Sequence, residues 1–121
     1  MRINYILLPL ILILNACSPH PGAGGWHAMD KETKFQRLEI RYAGNADFYK
    51  KYDDKVAAWR CFWGAVDKVT ANLKCVDAAN ANNEQTYLFI VDKEAREGVL
   101  QLEEQILGRY AWQPPTAPPE D

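Results

Sequence analysis

The side chains able to do chemistry in this 121-residue chain are few: three cysteines, two histidines and 16 acidic residues. His20 and His27 both stand in a glycine- and proline-rich stretch, where nothing packed would orient an imidazole. A Ser/His/Asp or Cys/His mechanism therefore has no base in the folded part. Asp53 with Asp54, and Glu103 with Glu104, are adjacent doublets flanked by other charges. That is the pattern of a solvated face, not of the separated carboxylates that glycoside hydrolysis uses. Cys61 and Cys75 have 13 residues between them, which is not the Cys-x-x-Cys spacing of a redox centre or a zinc site. Gly22, Gly24 and Gly25 follow no strand, so they do not form a phosphate-cradling loop. These residues imply a non-enzymatic protein with no metal and no cofactor.

Cys17 has different surroundings. It ends the segment Leu14, Asn15, Ala16, Cys17, which closes an apolar run from Ile6 behind the basic Arg2. As a helix that run would rise roughly 15 Å, about half a bilayer core, so it reads as a secretory signal and not as a membrane span. The four residues resemble the lipobox of bacterial lipoproteins. The resemblance implies that residues 1–16 are removed, with Leu14 filling an apolar pocket of the protease and small Ala16 admitting it to the backbone. It also implies that Cys17 carries diacylglycerol and palmitate, as a membrane anchor. Ser18 is not the Asp that retains lipoproteins in the inner membrane. In a Gram-negative cell the resemblance therefore implies the outer membrane, with the chain facing the periplasm.

Lipidation of Cys17 accounts for the odd thiol and leaves Cys61 and Cys75 to form a disulfide in an oxidising compartment. Closing a loop of about 15 residues contributes on the order of 3 kcal/mol in the chain-entropy model. Without Arg2 the chain has 13 basic against 16 acidic side chains and no basic cluster, which excludes broad electrostatic binding of nucleic acid.

The elements that position these groups follow from periodicity. Residues 17–34 read as the lipidated cysteine and a flexible tether with a root-mean-square span of roughly 20–25 Å. Residues 112–121 read as a tail in which Pro114, Pro115, Pro118 and Pro119 favour an extended conformation. A single domain is expected over 35–111. In it Leu38, Ile40 and Tyr42 alternate with Glu39 and Arg41 as a strand. Phe48, Tyr49, Tyr52, Val56 and Trp59 follow helical spacing, with Asn45 or Asp47 as N-cap. Residues 61–75 admit two readings. A hairpin turning at Asp67, Lys68 and Val69 sets Cys61 against Cys75, Trp63 against Leu73 and Ala65 against Ala71. A helix instead uses the 3, 4, 3 spacing of Val66, Val69, Leu73 and Val76, but a continuous helix would hold the two cysteines about 21 Å apart, beyond the reach of a disulfide. The hairpin is the better fit. Thr86 to Val91 reads as a buried strand. Asp92 then caps a helix buried through Val99, Leu100, Leu102, Ile106, Leu107 and Tyr110. The expected fold class is α+β, an antiparallel sheet packed on two helices in the order β-α-β-β-β-α, with one disulfide.

Phe48, Tyr49, Tyr52, Trp59, Phe62 and Trp63 concentrate aromatic area of the kind that fills cores and binding hot spots. Phe62, on the outer face of the hairpin, and Asp67 and Lys68 at its tip, are the expected partner surface. The expected role is protein binding or an accessory part in an envelope or secretion assembly. An inhibitor or immunity protein, offering the Asp67 to Thr70 loop to a wall-degrading or effector enzyme, is the alternative, and a carboxylate-based envelope enzyme is a third.

Overall fold

Side chains alternate inward and outward along successive strands, and the strands close on themselves as a barrel. The computed structural model describes residues 20–113. Leu14, Asn15, Ala16 and Cys17, and the tail from Pro114 onward, lie outside the described residues. The strands are β1 (Gly24–Ala28), β2 (Arg37–Ile40), β3 (Asn45–Tyr49), β4 (Trp59–Ala65), β5 (Thr70–Asp77), β6 (Glu84–Asp92), β7 (Glu97–Leu102) and β8 (Gln105–Gln113). Each pairs antiparallel with the next, and β8 pairs antiparallel with β1, Trp26 opposite Trp112, so no edge is left open.

This corrects the α+β expectation: among the described residues there is no helix. The stripe from Phe48 to Trp59 splits between two strands and a loop. Phe48 and Trp59 are opposite each other on neighbouring strands and point into the barrel, whereas Tyr52 and Val56 lie exposed on the loop between them. The expected C-terminal helix is a hairpin of β7 and β8. Its two-residue turn places Glu103 at positive φ (58°), and the extra residue Leu107 in β8 shifts the register beside Leu100 and Gln101. Asp92 does cap, but it caps a turn: its Oδ1 accepts from the amides of Glu94 and Ala95 at 3.1 and 3.2 Å. An aspartate satisfies the first amides of a helix and of a tight turn by the same geometry.

The expected tether is also corrected in part. Gly24–Ala28 is a barrel strand, and Trp26 stands buried in the core with its indole Nε1 donating to the Gly22 carbonyl at 2.9 Å. The interior is filled by Trp26, Phe48, Trp59, Tyr87, Phe89 and Tyr110, with Phe35 from the β1–β2 loop closing one end. The Tyr110 hydroxyl donates to the Phe35 carbonyl at 2.6 Å, which ties that plug to the wall. Charged residues point outward: Arg37, Glu39, Asp47 and Lys74 lie in the rows opposite to those of the core residues. A barrel that spans lipid has the reverse arrangement, an apolar outer band.

The hairpin of β4 and β5 has the anticipated register, with Cys61 opposite Cys75, Trp63 opposite Leu73 and Ala65 opposite Ala71. The two cysteines form a disulfide on the inward face, their Cα atoms 4.0 Å apart.

Candidate functional site

A concavity of about 500 Å³ lies on the outer wall around β1 and β2. Its floor is built by alternation. Leu38 and Ile40 turn inward, so Arg37, Glu39 and Arg41 turn outward at two-residue spacing on one strand face. The register then adds Asp47 opposite Glu39, and Tyr49 and His27 opposite Arg37 on either side.

The charges pair among themselves. Arg41 donates from its two terminal nitrogens to Glu39 at 2.6 Å and to Asp47 at 2.7 Å. Desolvation draws the Arg41 guanidinium down, but these carboxylates outweigh it and hold its pKa above the usual value. Arg37 has its Nε 3.3 Å from Glu39 Oε2, close enough for an ion pair but outside hydrogen-bond geometry. Its guanidinium lies over the Tyr49 ring, 3.8 Å from the centroid. The terminal nitrogens of Arg37 donate to the carbonyls of Tyr52 and Asp54 at 2.5 and 3.1 Å, and so fasten the β3–β4 loop to the wall. That loop brings Tyr52 edge-on to His27, with ring centroids 3.9 Å apart. Burial first, and then the Arg37 charge, push the His27 imidazole below its ordinary value.

Arg37, Glu39, Arg41 and Asp47 therefore form a neutral network with aromatic faces beside it. Such a surface offers donors and acceptors of both signs, which suits an extended polypeptide better than a polyanion. Phe62 lies on the same wall, opposite Asn45 on β3 and Lys74 on β5, and is 76% exposed.

The anticipated site residues are dispersed. Cys17 and residues 14–16 lie outside the described residues. Cys61 and Cys75 are buried as the disulfide, away from the groove. Asp67 and Lys68 are at the exposed tip of the β4–β5 hairpin, separate from Phe62 on its flank. Asp67 Oδ1 accepts from the amides of Val69 and Thr70 at 3.0 and 2.9 Å, which hold its carboxyl below the usual range.

The histidines correct the sequence expectation. His27 is in the groove, and His20 is seated against Trp63, with ring centroids 5.6 Å apart and Nε2 2.9 Å from the Asp67 carbonyl oxygen. Sequence reasoning missed the groove. Its available signal was the alternation of Arg37, Glu39 and Arg41, whose opposite charges two residues apart face each other only on a strand. Among the described residues no group of three or more His, Cys, Asp or Glu side chains is arranged to hold a metal ion. Comparison with protein-family models, with curated proteins and with solved structures gives no match.

Proposed function

We propose that this protein is a non-enzymatic lipoprotein of the bacterial envelope. It is held by lipid on Cys17 in the outer membrane of a Gram-negative cell, and it binds a partner protein through the outer wall of β1–β4. The observation that carries the reading is the groove of balanced charge beside exposed Phe62, on a barrel whose interior is filled with its own side chains. A filled interior directs recognition to the outside, where an aromatic anchor next to paired polar groups has the composition of a binding hot spot.

The test is a photo-crosslinking amino acid placed at Phe62, at Tyr52 and, beside the β7–β8 turn and four strands round the barrel from β4, at exposed Ile106 in living cells. A discrete adduct from positions 62 and 52, absent at 106, is expected. No adduct at either wall position, or the same adduct from all three, would count against the reading. For the anchor, Cys17→Ser is expected to abolish fatty-acid labelling and release the chain from membranes. A variant that still labels removes the lipid part.

The inhibitor reading draws on a different feature, the Asp67-capped turn at the tip of a disulfide-braced hairpin. Adding the protein to a muramidase assay tests its commonest form, and full muramidase activity counts against it.

A further inference from the structure

The geometry points to one end of the barrel resting on the lipid headgroups, with the β2–β3, β4–β5 and β6–β7 turns facing the bilayer. This inference rests on the lipid-anchor reading of Cys17 and deepens it. In an eight-stranded antiparallel barrel alternate turns lie at opposite ends. The end of interest holds the turns after β2, β4 and β6, together with the start of β1.

The chain is fixed at that end from His20 onward. The His20 ring lies against Trp63 and within hydrogen-bond distance of the Asp67 carbonyl at the hairpin tip. The Gly22 amide donates to His20 Nδ1 at 3.0 Å, and the Ala23 amide donates to the His20 carbonyl at 3.1 Å. Only Ser18 and Pro19 separate His20 from Cys17. Three fully extended residues span roughly 10 Å, against roughly 60 Å for a tether extended through residue 34.

A lipid on Cys17 therefore sets this end within a headgroup layer's thickness of the membrane. The β1–β2, β3–β4 and β5–β6 loops lie a barrel length away, roughly 20–25 Å farther for strands of this size tilted in the usual way. The residues brought to the lipid surface suit it. Tyr42 is 72% exposed and Val66 60% exposed, and Lys68 and Lys93 are also exposed. An aromatic, an aliphatic and two flexible cations are the side chains that partition to a phosphate-rich interface. The nearby Asp67 and Asp92 carboxylates accept from turn amides, so docking is set by the anchor and by shape, with little net charge.

The experiment uses the full-length lipidated protein in vesicles of phosphatidylethanolamine and phosphatidylglycerol containing a headgroup-spin-labelled lipid. A bimane probe is attached through Val66→Cys in one sample and through Asn82→Cys, in the β5–β6 loop, in another. Flotation with the vesicles is scored first. Several-fold stronger quenching at position 66 than at 82, lost in Cys17→Ser, is expected. A protein that floats but shows equal quenching, or more at 82, overturns the orientation and leaves the lipid anchor standing. A protein that does not float overturns both. If the probe at 66 unfolds the barrel, Tyr42→Cys carries it and the same outcomes decide.

Discussion

Gly98 faces Phe89 so closely that a Cβ at this position would overlap the ring. Glycine is used here for space: Phe89 and Tyr110 meet edge to face with centroids 6.1 Å apart in a core that has no slack around them. Gly98→Ala is expected to lose about 1–3 kcal/mol in urea unfolding as Phe89 leaves its rotamer. Gly25→Ala, where an added Cβ meets nothing within 4 Å, is expected to change stability by less than about 0.5 kcal/mol. His27 gives a prediction of pH dependence. Its folded pKa lies below the ordinary 6.5, so the unfolded chain binds the proton more readily. The His27 contribution is therefore complete above 6.5 and declines as pH falls from there toward the depressed folded value. A melting temperature that drops on acidification through this window, with a smaller drop in His27→Gln, is the expected result. An unchanged pH profile in the variant would refute it.

At the scale of elements, the β4–β5 hairpin is the brace. Cys61→Ala with Cys75→Ala is expected to cost about 2–5 kcal/mol, and unreduced mass mapping of the native chain should show the two cysteines linked. This hairpin was legible in the sequence because its inward face was informative: the cysteines set the register, and Trp63, Leu73, Ala65 and Ala71 on the same face agreed with it. The β7–β8 hairpin was not. Gly98 and Gly108 take positions where alternation would show large apolar residues, the space being used by Phe89 and by Thr33 with Tyr110, and the bulge at Leu107 shifts the phase. What remained, Val99, Leu100, Leu102, Ile106, Leu107 and Tyr110, matched a 3.6-residue period by coincidence. β1 was hidden for a related reason. Gly24 and Gly25 beside Trp26 look like a linker unless the partner strands are known, and one of the two is β8, at the far end of the described chain. The groove depends on the same long-range pairing. Arg37, Glu39 and Arg41 could be placed on one strand face, but His27 and Tyr52 reach them only through β1 and the β3–β4 loop.

For the whole molecule, the filled interior and the charged wall are the grounds for proposing recognition on the outside, and on the lipid-anchor proposal the short reach from Cys17 to His20 gives that outside a direction. If both the groove and the seating on lipid hold, a partner approaches from the side or from the loops distal to the membrane, while the Asp67 tip is directed toward lipid and is poorly placed to enter an enzyme cleft. The crosslinking and quenching experiments are therefore coupled: strong adducts at Phe62 and strong quenching at Val66 belong to one orientation. The β1–β8 pairing also bears on timing. Trp26 cannot find Trp112 until the end of the described chain has emerged, and before that β1 and β7 both present bare ladder edges. A chain exported as an unfolded thread thus has no native resting state part-way across. On the export proposal the chain is free to move through a translocation pore until β8 is released, and only then can the barrel form as a unit.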